Sequence, residues 1–320
     1  MPIMKLPSPK LTIGLPTYKR PRSLFKSIQQ ILDQSFTDFE LIIINDASND
    51  ETAIVVSKFE DRRIHFIENK KNLGVADSLN RILSLARGEY FIYLSDHDNY
   101  ERNLLSECTK ALDDNQKLSL AMPGLFKFDK HKKKIRFDNL DWPFLNSGEE
   151  KIKEYLMQES SFSSPFHASC MYRLRSLKEI GLFYDPNYSY FSDIDLTLRT
   201  LVNTDFVYID KMLIGVTERE EFHQLNFKQI ESLKIVYQIN SKFLHFLKIQ
   251  NNKTIRFLDL KTKISLHREL RYATLKGFNY FKEMEKRIIK NFPNIKYEFY
   301  ELPNVIKFCL YLFKRIFIKK

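Results

Sequence analysis

Tyr90–Tyr100 reads YFIYLSDHDNY, an apolar and aromatic run that stops abruptly at Asp96-His97-Asp98. Continuous runs of this kind are expected to form a strand buried on both faces. Two carboxylates at the carboxyl end of such a strand fall where open α/β sheets place their ligand crevice. Side by side they repel at neutral pH unless a cation or a set of hydrogen-bond donors holds them. By itself the triplet reads more simply as a polar turn that ends Tyr90–Ser95 and caps a helix starting near Glu101, because Asp-x-Asp is short and common, so its neighbours must decide.

Upstream, the pattern alternates. Leu11–Leu15 (LTIGL) is expected as a buried strand broken by Pro16, and Pro21 as the start of a helix with Leu24, Ile28 and Ile31–Leu32 on one face. Phe39–Ile44 (FELIII) is a second strand running into NDASNDE, where Ser48 or Asn49 can cap a helix beginning near Glu51. Arg63–Ile67 is a third strand, NKKNLG a polar connection, and Val75–Ala86 an amphipathic helix. This spacing predicts a mostly parallel sheet with helices on both faces. It would gather Pro16–Arg20, Asn45–Asp50 and Asp96–Asn99 at one end, enough for a nucleotide-sized site.

Downstream, Leu118–Phe128 and Ile135–Phe137 flank DKHKKK and predict a hairpin whose basic tip is most simply a solvated turn. Glu149–Met157 and Arg175–Ile180 are expected as helices, and Ala168–Arg173 and Asp205–Asp210 as strands. In FSDIDLTLR, Ser192 is a candidate N-cap, which puts Asp193 in a first helical turn beside the positive end of the dipole. Asp195 and Arg199, four apart, form a structural ion pair.

Composition is that of a globular protein, with 43% apolar and 28% charged residues in 320. No run is long enough to span a bilayer, and MPIMKLPSPK has no secretory core. Cys108, Cys170 and Cys309 lie far apart, which argues against a disulfide framework or zinc knuckle and fits a reducing cytoplasm. The net charge of +11 is uneven: from Lys253 onward there are 17 Lys+Arg against 6 Asp+Glu, and the preceding part is neutral. That shift predicts a catalytic domain over 1–217 and a basic, helical C-terminal region over 218–320, with helices near Leu225–Ile249, Thr254–Leu266, Glu269–Ile289 and Asn304–Ile318. The last suits either a helix lying in a lipid headgroup plane or one docked on the core.

None of the eight glycines forms a Gly-x-Gly pair or a Gly-Lys-Ser/Thr loop. An α/β chain lacking both must hold a phosphorylated ligand by other means, and a metal on a strand-end carboxylate pair is one.

Five segments in order, TIGLPTYKRP, ELIIINDASNDET, NKKNLGVADSLNRIL, ARGEYFIYLSDHDN and FSDIDLTLR, resemble the GT-A glycosyltransferases of inverting family 2, the type common in bacterial surface-polysaccharide synthesis. The resemblance covers about Leu11 to Asp210. It implies a Rossmann-like GT-A fold with a basic helical extension, and a nucleotide-sugar donor, most simply UDP-linked. Pro16, Thr17, Tyr18 and Arg20 would border the nucleotide, Asp46 would accept the imide N–H of the base, and Asn72 and Gly74 would approach the ribose or sugar. Asp50 would shape the Asp46 loop or cap its helix. Asp96-His97-Asp98 matches the family's Asp-x-Asp, with Asp98 on Mn²⁺ or Mg²⁺ and Asp96 on the ribose or a metal-bound water. His97 is expected to point away from the metal. Asp193 matches the general base, although Ser192 replaces the preceding acid of the family's pair. His223 falls near a histidine that completes the metal shell in many relatives. The implied partners are a glycan or lipid-linked acceptor and, through the basic helices, the inner face of the cell membrane, with no nucleic acid. A catalytically silent nucleotide-sugar-binding protein of the same fold is the alternative reading.

Overall fold

The computed structural model describes residues 8–138, 140–157, 169–180, 184–202, 204–217 and 228–247, together with Lys286 and Lys290. Internal contacts divide the chain into Met1–Gln158 with Ser163–Arg219, and Glu159–Phe162 with Glu220–Lys320.

In the first unit the order is β1 (Leu11–Thr17), α1 (Pro21–Leu32), β2 (Phe39–Asn45), α2 (Thr52–Val56), β3 (Ile64–Glu68), α3 (Val75–Leu85), β4 (Tyr90–Tyr93) and β5 (Asn99–Tyr100). It continues with α4 (Leu104–Asp113), β6 (Leu120–Phe128), β7 (Lys134–Arg136), β8 (Leu145–Asn146), α5 (Gly148–Met157), β9 (Met171–Arg173) and α6 (Leu174–Glu179). A 3₁₀ turn over Pro186–Phe191 leads into α7 (Ser192–Leu201), and β10 (Phe206–Gly215) is the last strand among the described residues. Among the described residues of the second unit, α8 spans Lys228–Phe246 and buries Val236, Ile239, Asn240 and Phe243, one helical face. The expected helices over 254–266, 269–289 and 304–318 lie outside the described residues, apart from single helical positions at Lys286 and Lys290. No described helix is long and apolar enough to cross a membrane.

One sheet joins the strands in the order β3-β2-β1-β4-β9-β6-β10-β5. Strands β1 to β4 pair in parallel, as do β6 and β10, with β9 running antiparallel between β4 and β6. The expected mostly parallel α/β architecture is therefore the one observed. Every residue of β1 and β2 is buried, which explains their near-continuous apolar runs, and the edge strand β3 is half-exposed, with His65 and Glu68 exposed and Ile64 and Phe66 packed on the core. Helix α1 places Leu24, Ile28 and Ile31 at zero exposure in the core. Each such burial contributes roughly 2 kcal/mol.

Element boundaries differ from expectation at several points. β10, expected to stop at Asp210, runs on beside β6 to Gly215. β1 runs through Pro16, which pairs with Ile44. The Leu94 N–H donates to Gly14 O, so residues 14 and 16 turn their peptide groups toward β4. β4 has already ended at Tyr93, so the missing proline N–H costs no ladder bond. β4 is itself shorter than Tyr90–Ser95, because the chain turns to donate the Asp96-containing loop before β5 re-enters the sheet against β10. Ser192 is the first helical residue of α7; Phe191 occupies the cap position, with no side-chain capping bond.

Candidate active site

The carboxyl ends of β1, β2 and β4 bring the three expected loops together. Thr17 Oγ1 donates to Asp96 Oδ2 at 2.7 Å, and Arg20 Nη1 to Asp96 Oδ1 at 3.0 Å. The Lys19 N–H donates to Ser48 Oγ at 3.0 Å, and the Asp46 N–H to Thr17 O at 2.9 Å. Ser48 thus ties two loops together and does not cap α2. Asp50 does the local work there, accepting from the Thr52 N–H at 2.9 Å. Lys19, Ala47 and Asn49 all have positive φ, so the backbone strain of this region is concentrated in the two loops that face the site.

Asp46 is buried, and its carboxylate organises the β3–α3 connection. Oδ1 accepts from Asn69 Nδ2 at 2.7 Å and the Leu73 N–H at 2.8 Å, while Oδ2 accepts from the Gly74 N–H at 2.8 Å. A carboxylate offers about four lone-pair sites, so among the described residues one on Oδ2 is left for a further donor. Gly74 is needed for its φ of +86°, which turns the chain back onto Asp46. Asn72 Nδ2 donates to Asp46 O at 3.3 Å. Asn69, buried between Asp46, Ser78 and Arg81, is a site-building residue that the sequence did not single out. Replacing Asp46 with Ala strands three donors and is expected to destabilise the protein by roughly 3 kcal/mol, seen as a lower urea midpoint and faster proteolysis across 69–74.

Tyr18 is exposed beside this loop, with Lys19 Nζ 5.1 Å from its ring centroid. Pro16 and Thr17 form the buried floor.

Asp96 is 3% exposed. Burial alone would raise its pKa, but hydrogen bonds from His97 and Thr17 and the Arg20 charge outweigh it, so the carboxyl is held below its ordinary value. His97 Nδ1 lies 3.1 Å from Asp96 Oδ1 and 3.4 Å from Arg20 Nη1, and contacts Ser95 Oγ. The ring is thus engaged by its own loop, with Nε2 3.9 Å from Asp98 Oδ1. Asp98 Oδ1 accepts from the Thr217 N–H at 2.9 Å, which links the motif to the end of β10.

No cluster of three or more His, Cys, Asp or Glu suited to a metal occurs among the described residues, and His223 lies outside them. A small divalent cation that keeps its waters and takes other ligands from a diphosphate needs only one or two carboxylates. Asp98 meets that need, with Asp96 behind it already shared among Thr17, Arg20 and His97.

Asp193 sits in the first turn of α7. Its Oδ1 is buried with no hydrogen-bond partner among the described residues, and burial pushes the carboxyl up to about 6, against the opposing pull of the backbone N–H groups of Ile194 and Asp193 itself. The loss of an acid at position 192 therefore does not leave an ordinary carboxylate, because desolvation supplies the shift. Asp195 and Arg199 form the expected ion pair, Nε to Oδ2 at 2.7 Å, both buried.

Around Asp193 lies an aromatic wall. Tyr184 is buried, its hydroxyl has no partner among the described residues, and its pKa is raised by burial and then by the Asp193 and Tyr93 charges. Asn80 fixes this residue from 104 positions away: Nδ2 donates to Tyr184 O at 2.9 Å, and the Tyr184 N–H donates to Asn80 Oδ1 at 2.8 Å. Tyr93, at the end of β4, is also felt by Tyr100, which in turn senses Asp98 and Asp96. Tyr93 is thus within electrostatic reach both of Tyr184, beside Asp193, and of Tyr100, beside the Asp98 motif.

A family model described as glycosyl transferase family 2 matches residues 12–181. An uncharacterized glycosyltransferase of Methanocaldococcus jannaschii is 26% identical over 263 residues, 81% of this chain and 80% of that protein. The GalNAc(5)-diNAcBac-PP-undecaprenol beta-1,3-glucosyltransferase of Campylobacter jejuni is 36% identical over 101 residues, 31% of this chain and 33% of that protein. Among solved structures, S. aureus TarS 1-349 in complex with UDP-GlcNAc superposes with a TM-score of 0.57 at 14% identity, covering 91% of this chain and 92% of that one. The last likeness is one of fold.

Proposed function

The chain belongs to glycosyl transferase family 2, and from that premise we propose an inverting sugar transfer from a nucleotide sugar, most simply a UDP-sugar, to a hydroxyl of a glycan or lipid-linked glycan. The observation that carries this reading is Asp193, a desolvated carboxyl raised to about 6 in the first turn of α7, within electrostatic reach of Tyr184, which in turn reaches Tyr93 at the end of β4. A base of that strength is deprotonated at neutral pH yet takes a proton readily.

Asp193 accepts the proton of the acceptor hydroxyl as its oxygen attacks C1 of the donor sugar. The bond from C1 to the diphosphate oxygen breaks with its electron pair leaving on the diphosphate. One displacement inverts the anomeric centre, so no second carboxylate nucleophile is needed. Mn²⁺ or Mg²⁺ held on Asp98 supplies neutralising charge to the diphosphate when bound. Tyr18 offers an open ring to the base, the remaining lone pair of Asp46 takes its imide N–H, and Arg20 and Thr17 hold Asp96 toward the ribose.

The printed name of the Campylobacter relative specifies an undecaprenol-linked acceptor, which supports a lipid-linked acceptor here. With it goes peripheral placement at the inner membrane face through the basic C-terminal region. A screen of nucleotide sugars for thermal stabilisation with and without Mn²⁺ tests the donor reading. One sugar nucleotide is expected to raise Tm only with the metal present, and no stabilisation by any of them would remove the proposal. The silent-binder alternative predicts the same stabilisation without product.

A further inference from the structure

The β6–β7 hairpin carries five lysines against one aspartate over Lys127–Lys134. We propose that this hairpin is a lipid-docking prong that enters an anionic bilayer surface tip-first, separately from the basic C-terminal region.

Three features make it more than a solvated turn. First, the tip is built. Asp129 Oδ1 accepts from the His131 and Lys133 N–H groups at 2.9 and 2.8 Å, and Lys132 sits at a φ of 59°. The one carboxylate is spent on the turn, which leaves Lys130, Lys132 and Lys133 exposed around it.

Second, the prong has apolar sides. Phe128 is 53% exposed and Phe137 40%. They stand on opposite faces: Phe128 shares its face with Phe126, ring centroids 5.5 Å apart, whereas Phe137 lies under Lys127 Nζ at 5.2 Å on the other. Rings on opposite faces cannot form the single stacking platform that a nucleic-acid strand needs. A bilayer interface takes both at once, with the lysines at the headgroups.

Third, the base is anchored to the candidate site. Lys134 Nζ donates to Glu101 Oε1 at 2.9 Å and Met212 O at 2.8 Å, and lies 4.0 Å from the Phe126 ring centroid. Phe126 pairs with Gly215, and Gly215 with Asn99, the residue after Asp98. A bilayer gripped by the prong would thus hold the mouth of the site at the headgroup level, whichever sugar is transferred.

The test uses the full chain with Phe128→Trp. The unmodified chain, whose single tryptophan is Trp142, serves as the blank. With phosphatidylcholine vesicles containing phosphatidylglycerol, the difference emission is expected to shift to the blue and to be quenched by brominated acyl chains. Lys130→Glu, Lys132→Glu and Lys133→Glu together are expected to weaken that response more than about tenfold. Unchanged emission, whether or not the chain sediments with the vesicles, would overturn the proposal. So would a shift produced by RNA and not by vesicles.

Discussion

Replacing Asp193 with Asn is expected to lower kcat by roughly 10²–10⁴-fold, because proton removal in the transition state is lost, while the affinity for the nucleotide sugar stays nearly unchanged. Donor contacts are assigned to the β1, β2 and β4 loops, and Asp193 lies outside them in the first turn of α7, so binding and turnover should separate. Isothermal titration with the donor and a product assay read the two quantities. Product formation at the original rate would remove Asp193 as the base; no product from the unmodified chain with any donor that binds would favour the silent binder. In the active protein kcat/KM should fall below pH of about 6, the value to which burial raises this carboxyl.

The same shift makes a stability prediction of definite sign. The folded-state pKa lies above the ordinary 3.8, so the native state holds the proton more tightly than the unfolded chain. The ionised form therefore costs stability above pH of about 6, and the cost is relieved as pH falls from there toward 4. At 1.36 kcal/mol per pKa unit the penalty at pH 8 is at most about 3 kcal/mol. The Asp193→Asn variant should accordingly melt higher than the original at pH 8 and alike near pH 4. A substitution that abolishes turnover and raises Tm is the signature of a site that trades stability for chemistry.

Sequence patterns conveyed the sheet because its central strands are buried on both faces and its helices are not. FELIII and VADSLNRIL could each be read in only one way. β9 was less legible in its direction: a three-residue strand between β4 and β6 carries no signal of whether it runs parallel. The boundary at Pro16 was misplaced because a proline ends a strand only where its N–H is needed, and whether a neighbour extends that far is a tertiary fact. In the site, the carboxylates were visible as unusual residues at strand ends, but the roles of Asn69 and Asn80 were not. An asparagine in a polar loop or on a helix looks the same whether it faces water or clamps a backbone 104 residues away, as Asn80 does at Tyr184. His223 and the basic helices lie outside the described residues, so their expected roles remain proposals.

The two carboxylates of the Asp96-His97-Asp98 motif should prove unequal, and Asp98→Asn against Asp96→Asn is the pair that separates them. Asp96 is buried and receives Thr17, Arg20 and His97. An amide there presents hydrogens to one or more of these donors and leaves Arg20 without its counter-charge. The variant should therefore lose roughly 2–4 kcal/mol of stability with no ligand present. Asp98 is more exposed than Asp96 and accepts from the Thr217 N–H, a bond that an amide oxygen can still make. Its variant should melt within a degree or two of the original when unliganded. The difference reverses when donor and Mn²⁺ are added. At a hundredfold excess over Kd a ligand contributes about 2.7 kcal/mol, which for a domain of this size raises Tm by roughly 5–10 °C. The Asp98→Asn variant should forfeit nearly all of that increment, since without a full charge the site cannot bring the metal to the diphosphate. Asp96→Asn should keep a reduced increment from a lower baseline. If instead Asp98→Asn binds donor with undiminished metal dependence, the cation is held elsewhere and the motif serves only to shape the loop between β4 and β5.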